Sequence, residues 1–243
     1  MPDVCLVVPC YNEAARLRIA DFLAHIDGDP RSCLCFVNDG STDDTASALD
    51  QLSKSRPGRI FVVTLTRNSG KAEAVRHGVN HVAAMNRFAL VGYWDADLAT
   101  PLSELAPMLD ALARAPECQL VLGSRWRRLG SDIHRSAIRH ALGRVFATAA
   151  SLALDLPVYD SQCGAKVCRA ASIGVLFGEP FTTRWLFDVE LLARLRNHGS
   201  VQQSAIELPL TKWRDVGGSR LRWMQMAAAP LGLLRIRLRY PPR

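Results

Sequence analysis

FALVGYWDADLATP, Phe88 to Pro101, joins a seven-residue apolar run to two aspartates one residue apart. The run reads as a buried strand, and a buried strand has no use for two negative charges at its end. At i, i+2 in an extended segment, Asp95 and Asp97 point to the same face. Side by side in a low dielectric they repel and are costly to bury. A hard divalent cation removes both problems: Mg2+ or Mn2+ prefers carboxylate oxygen and keeps positions open for substrate phosphates. The alternative for a bare Asp-x-Asp is that one aspartate caps the next helix and the other is solvated, so the rest of the chain has to decide.

The pattern repeats upstream. Val4–Asn12 (VCLVVPCYN) is an apolar run ending in polar residues, and EAARLRIADFLAHI after it has helical spacing. CLCFVNDGSTDDT is a second strand entering a turn, where Ser41 or Thr42 is placed to cap the helix TASALDQLSKS. RIFVVTLT is a third strand, SGKAEAVRHGVNHVAAM a third helix and FALVGYW a fourth strand. This βαβαβαβ rhythm predicts an α/β, Rossmann-like fold with a mainly parallel sheet flanked by helices. Further on, LSELAPMLDALAR reads as a helix, CQLVLGSRW as a strand, FTTRWLFDVELLARLRNHG as a helix and VQQSAIELPL as a strand. The long helical stretch Arg135–Leu156, basic first and apolar after, suits either a core or a membrane surface.

Polar residues gather where the strands end. Asn12 and Glu13 follow the first, Asn38, Asp39 and Gly40 the second, Arg67 and Asn68 the third, and Asp95 and Asp97 the fourth. Ligands of such sheets bind outside the carboxyl ends of the strands, so four charged or amide-bearing ends on one rim predict a binding crevice. The dinucleotide fingerprint GxGxxG and the phosphate loop GxxxxGK[ST] are both absent, which argues against an NAD enzyme or a P-loop ATPase.

With 243 residues, 49% of them hydrophobic and 22% charged, the chain has enough apolar material for a full core. Seven scattered cysteines, an odd number with no secretory leader expected, fit reduced thiols in a cytosolic setting. No uncharged apolar run reaches the ~20 residues of a spanning helix. The net charge of +7 is unevenly placed: from Lys212 onward eight basic residues face one acid, Asp215, while the preceding 211 residues balance at 22 of each sign. The tail RLRWMQMAAAPLGLLRIRLRYPPR mixes arginine with Trp, Met, Leu and Ile. That mixture suits a membrane interface, with arginines at the headgroups, rather than nucleic acid; the alternative is a terminal helix packed on the domain with a solvated basic face. The expected division is a main domain over 1–218 and a basic, apolar tail over 219–243.

VVPCYNEAARL, VNDGSTDDT, RNSGKAEAVRHGV, DADLATP, GSRW, DSQCGAKV, RWLFDVELLARL and GSRL occur in this order from about Val4 to Leu221. Together they resemble glycosyltransferase family 2, and the later motifs resemble its dolichyl-phosphate (polyprenyl-phosphate) β-glucosyltransferase branch. The resemblance implies a GT-A fold, an NDP-sugar donor, a divalent metal and a lipid-phosphate acceptor, hence a peripheral protein at the cytoplasmic face of a membrane. It implies that Pro9, Tyr11, Asn12 and Glu13 form the nucleotide-side loop, that Asp39 contacts the uracil-ribose part, and that Lys71 lies close to the nucleotide rather than being a solvated helix-start lysine. Asp95 and Asp97 become the metal and diphosphate motif. Arg125, with its fixed fork of donors, becomes a phosphate contact, the alternative being an ion pair. Arg184, Lys212 and Arg220 are candidates to clamp the acceptor phosphate, or else belong to the basic tail. The sequence departs from the family pattern at Asn38, where Asp is usual, in GKAEAVR, where GKGGAVR is commoner, and at Arg220, where Lys is common. Relatives with an N-terminal membrane anchor reach lipid through it; here interfacial segments or a partner are expected to do so.

The chemistry follows from charge. A diphosphate leaves once its charge is neutralised, which assigns catalytic weight to Asp97 and Arg125. A phosphate acceptor is already ionised near neutral pH and needs positioning more than a base. Asp188 is therefore expected to orient acceptor or sugar, with a general-base role as the lesser alternative. Cys163 is expected to pack rather than attack, because direct displacement needs no covalent intermediate. Another donor such as GDP-mannose, a non-lipid acceptor, or a non-catalytic nucleotide-binding relative are the alternatives.

Overall fold

The computed structural model describes residues 3–134, 137–199, 201–216 and 223–241. Two compact units share the chain: Met1–Leu98 with Ala165–Pro180, and Ala99–Gly164 with Phe181–Arg243. In the first, β1 (Val4–Cys10), α1 (Ile19–Gly28), β2 (Ser32–Asn38), α2 (Thr45–Ser55), β3 (Ile60–Thr64), α3 (Lys71–Ala84) and β4 (Leu90–Trp94) alternate. The chain enters the second unit with a single 3-10 turn (Leu102–Glu104), α4 (Leu105–Arg114), β5 (Leu120–Ser124), β6 (Asp132–His134) and α5 (Ala137–Leu154). It returns to the first for β7 (Ala165–Arg169) and α6 (Ile173–Phe177). It ends in the second with α7 (Phe187–His198), α8 (Val201–Ser204), β8 (Ala205–Pro209), β9 (Lys212–Arg214) and α9 (Trp223–Arg239).

The strands of the first unit run in the order β3-β2-β1-β4-β7. β1 pairs in parallel with β2 and β4, and β2 with β3; β7 runs antiparallel to β4, Leu90 opposite Arg169 and Trp94 opposite Ala165. β1 lies inside, and Val4, Cys5, Leu6, Val7 and Val8 are fully buried, as a parallel strand covered on both faces requires. α3 presses on this sheet through Gly78, where a Cβ would stand 2.5 Å from Val7 Cγ1 and 2.6 Å from Val37 Cγ2. In the second unit β5 pairs in parallel with β8 and β6 with β9. α7 is buried from Phe187 to Leu195 although Asp188, Glu190 and Arg194 lie in that stretch, and a charged group enclosed in this way has to be paired or hydrogen-bonded. α5 and α9 pack against it and against each other.

Several expected boundaries move. α1 starts at Ile19, not Glu13, because the Glu13 carbonyl accepts from the N–H groups of Arg16 and Leu17 in a separate turn. α2 matches its expected span, but neither Ser41 nor Thr42 caps it; Asp43 Oδ1 accepts from Thr45 N at 3.0 Å. α7 starts at Phe187, since Thr183 Oγ1 takes the Leu186 N–H at 3.0 Å and holds the preceding residues in a turn. Val201–Ser204 is a helical turn, and only Ala205–Pro209 is strand. The tail from Trp223 to Arg239 is a helix with Pro230 inside it, and Ala229, Leu233 and Ile236 are buried. Among the described residues no helix is long and apolar enough to cross a membrane.

Candidate active site

The strand-end loops of the first unit are stapled together by their own polar side chains. Asn12, at φ 51°, donates its N–H to Ser41 Oγ at 3.0 Å and accepts from Thr42 N through Oδ1 at 2.8 Å. Glu13 donates its N–H to Thr45 Oγ1 at 2.8 Å, and its carboxylate pairs with Arg16 at 2.7 Å. The β1 and β2 ends therefore form one platform carrying Pro9, Tyr11, Asn12 and Glu13. Asn38, the departure from the family pattern, accepts from Ser41 N at 3.0 Å. Turning that corner takes Gly40, at φ 64°, where a Cβ would meet the Arg67 backbone at 2.5 Å.

Asp39 is 2% exposed, and its two oxygens accept from Ser69 N at 2.7 Å and Gly70 N at 2.8 Å. It thus ties the end of β2 to the start of α3, which fixes Lys71 as the first helical residue. Lys71 Nζ lies 2.5 Å from Asp95 Oδ1, both side chains being more than a third exposed. Solvent-screened pairs of this kind contribute about 0–1 kcal/mol, so a more highly charged partner can replace the lysine at little cost.

The two aspartates do not sit in an extended segment as the spacing implied. Leu98 donates its N–H to the Asp95 carbonyl at 3.2 Å, closing a turn with Leu98 at φ 51°. A bulky residue in that region costs about 1–2 kcal/mol; burial of the leucine side chain offsets it. The turn leaves Asp95 and Asp97 half-buried and sinks Ala96 and Leu98 between and beyond them. Among the described residues no three His, Cys, Asp or Glu side chains form a metal cluster. Two carboxylates fit Mg2+ or Mn2+, which are held by one or two carboxylates plus substrate phosphates, and do not fit a closed structural site.

In the second unit Arg125, just past β5, is engaged by an acid that the sequence reading did not single out. Its Nε and Nη2 donate to Asp160 Oδ2 and Oδ1 at 2.6 and 2.7 Å, and its N–H to Oδ2 at 3.0 Å. The guanidinium carbon lies 5.5 Å from the Trp213 ring centroid. Asp160 is held in turn: the N–H groups of Tyr159 and Asp160 donate to Glu207 of β8 at 2.8 and 2.6 Å. Asp188 is buried in the first turn of α7, where the helix dipole favours a carboxylate. Arg184 and Lys212 are exposed, and the Lys212 N–H donates to buried Glu104 at 2.9 Å. Arg220 lies outside the described residues. Cys163 is buried, its Sγ 3.2 Å from where a Cβ on Gly123 would stand, a packing position.

Glu190 was also missed. It is fully buried on α7 and accepts from Thr182 N at 2.8 Å, Thr182 Oγ1 at 3.1 Å, Arg194 Nη2 at 2.9 Å and Tyr240 Oη at 3.2 Å. Burial pushes the Tyr240 hydroxyl above its usual range, which keeps it a donor. This network fixes the turn bearing Arg184 against α7. The sequence did carry a signal, an acid four residues before an arginine in a helix.

Comparison with known proteins places this geometry. Residues 5–176 match the model of glycosyl transferase family 2. A dolichyl-phosphate β-glucosyltransferase of Drosophila melanogaster is 32% identical over 92% of this chain and 72% of that relative. Its counterpart of Mus musculus is 31% identical over 98% of this chain and 76% of that relative. Among solved structures, glucosyl-3-phosphoglycerate synthase from Mycobacterium tuberculosis, in complex with Mn2+, UDP and phosphoglyceric acid, superposes with a TM-score of 0.68 at 18% identity. The match covers 100% of this chain and 80% of that one. The α/β architecture is the GT-A fold, and the chain belongs to glycosyl transferase family 2 as a glycosyltransferase.

Proposed function

We propose that this chain transfers glucose from UDP-glucose to a polyprenyl phosphate, inverting the anomeric centre, at the cytoplasmic surface of a membrane. The observation that carries the reading is the likeness to dolichyl-phosphate β-glucosyltransferases over nearly the whole chain. The half-exposed Asp95–Asp97 turn beside Lys71 supports it.

Asp95 and Asp97 would hold Mn2+ or Mg2+. Such an ion, when bound, supplies charge neutralisation to the departing diphosphate. Asp39 keeps the loop before α3 in place and so holds Lys71 where it can meet diphosphate or carboxylate. The loop of Pro9, Tyr11, Asn12 and Glu13 receives the nucleoside. On the acceptor side the nucleophile is a phosphate oxygen, ionised without a base, so the residues act by placement. Arg184, Lys212 and Arg220 bind the phosphate, Asp188 orients acceptor or sugar, and Arg125, whose fork is engaged by Asp160, would contact a phosphate by exchanging that carboxylate for it.

The test is a transfer assay with purified protein, Mn2+ or Mg2+, radiolabelled UDP-glucose, GDP-mannose and other nucleotide sugars, and polyprenyl phosphate in detergent. Label moving from UDP-glucose into the lipid phase, and lost in Asp97→Ala, is the expected result. Metal-dependent UDP binding without transfer to lipid would overturn it. A small phosphorylated acceptor is the second reading, favoured by the fold shared with the phosphoglycerate-using synthase; phosphoglyceric acid in the same assay decides between them.

A further inference from the structure

Three buried side-chain groups beside the Arg125–Asp160 pair have no hydrogen-bond partner among the described residues: Ser124 Oγ, Ser161 Oγ and Gln162 Nε2. Ser124 and Ser161 are 1% and 2% exposed. Ser124 ends β5 between Gly123 and Arg125, and Ser161 and Gln162 lie between Asp160 and Cys163. The two segments touch in two places. Arg125 donates to Asp160 from its N–H, Nε and Nη2 at 3.0, 2.6 and 2.7 Å, and Cys163 Sγ stands 3.2 Å from where a Cβ on Gly123 would be. Each unpaired group is therefore one residue from a contact that joins the segments. All of these residues belong to the second unit.

A folded chain pairs nearly all of its buried polar groups, and each one left over asks for an explanation. Ser124 closes a strand buried along its whole length, where an apolar residue would pack without the cost of an unmade hydrogen bond. Three such groups kept in one place are explained by a ligand that pairs them. Their chemistry selects it. Two hydroxyls and a carboxamide are neutral, and whichever anion Arg125 holds, carboxylate or phosphate, its charge is already matched. A serine hydroxyl both donates and accepts, and a carboxamide nitrogen donates, which suits the hydroxyls of a sugar. A site built of buried hydrogen-bonding groups also discriminates strongly, because a ligand lacking the matching hydroxyl leaves them unpaired. We infer that Ser124, Ser161 and Gln162 form a subsite that pairs the hydroxyls of the donor's hexosyl group and sets which nucleotide sugar is used. The three atoms are enclosed as the structure stands, so the sugar reaches them after a neighbouring side chain moves. Half-buried Gln162 and Arg125, which exchanges Asp160 for a phosphate when the donor arrives, provide that movement. The inference rests on the reading of the chain as a nucleotide-sugar-dependent transferase and not on the lipid acceptor.

Calorimetric titration of the full chain with UDP-glucose and with UDP, both in the presence of Mn2+, tests it without a transfer step. UDP-glucose is expected to bind more tightly than UDP. Ser124→Ala, Ser161→Ala and Gln162→Met are each expected to reduce that ratio about three- to tenfold, the loss of one hydrogen bond, with the affinity for UDP unchanged. The melting temperature of the free serine variants is expected to hold or to rise by about 2–4 °C, since an unpaired buried hydroxyl has been removed. GDP-mannose and GDP are titrated alongside. If that pair shows the variant-sensitive ratio instead, the glucose reading fails while the subsite stands. A ratio near one for both donors, a ratio unchanged in all three variants, or an equal loss of affinity for UDP would each overturn the inference. So would a lower melting temperature in both serine variants, which would mean that their hydroxyls are paired within the fold.

Discussion

The first unit carries 12 lysines and arginines against 13 acids; the second carries 18 against 10. Every large apolar side chain that the described residues leave exposed, from Trp126 to Leu238, belongs to the second unit. The first unit, which holds the paired aspartates, buries its apolar residues in a continuous core and shows water a polar rim. Such a surface is suited to a small anionic ligand arriving from solution with a counter-ion. The second is basic and leaves large apolar side chains exposed. The contrast teaches that the paired aspartates and the exposed apolar surface are segregated into different units of one chain.

The contrast can be broken or sharpened by mutation. The largest effect is expected from Asp97→Ala: transfer falls about 1,000-fold while urea unfolding stays unchanged, and an active variant would break the assignment of donor chemistry to the first unit. Glu190→Ala is expected to cost about 3 kcal/mol by leaving Arg194 buried without its acid. In calorimetry that lowers the melting temperature by about 6–12 °C, with Glu190→Gln milder. Arg184→Ala and Lys212→Ala are each expected to raise KM for the lipid phosphate about tenfold, the loss of one charged contact. KM for UDP-glucose should stay within about twofold, and a donor KM that moves equally would erase the contrast. The smallest effect is at the thiols. All seven cysteines are buried and none is in a disulfide, and burial pushes the thiols of Cys35 and Cys168 up to about 12. Alkylation of the native protein at pH 8 is therefore expected to label almost nothing, and full labelling should appear only in denaturant.

Much of the first unit was legible because its information is local. α2 runs from Thr45 to Ser55 as its periodicity says, and the polar strand ends fall on one rim because parallel strands all end on the same side. β7 was not legible: five residues, AKVCR, have no strand signal strong enough to reveal an antiparallel partner some 70 positions earlier. β6 and β9, three residues each, fail for the same reason. Arg125 was recognisable as a charged fork, but its partner Asp160, 35 residues away, is a fact of tertiary structure. The tail showed its composition and hid its geometry. The sequence posed packed helix and membrane segment as alternatives, whereas α9 has one face for packing and another that remains exposed.

The antiparallel strand also has a consequence in time. β4 leads into the aspartates, and one of its edges is completed only by β7, whose first residue is made about 70 residues after Trp94. At about 5–20 residues per second, a ribosome leaves that edge open for roughly 4–14 s. Val91, Tyr93 and Trp94 line it, and an unpaired apolar edge is a template for aggregation. A nascent chain shorter than Arg169 has therefore written its paired aspartates without yet closing the sheet beside them, and for those seconds its survival depends on whatever shelters the edge.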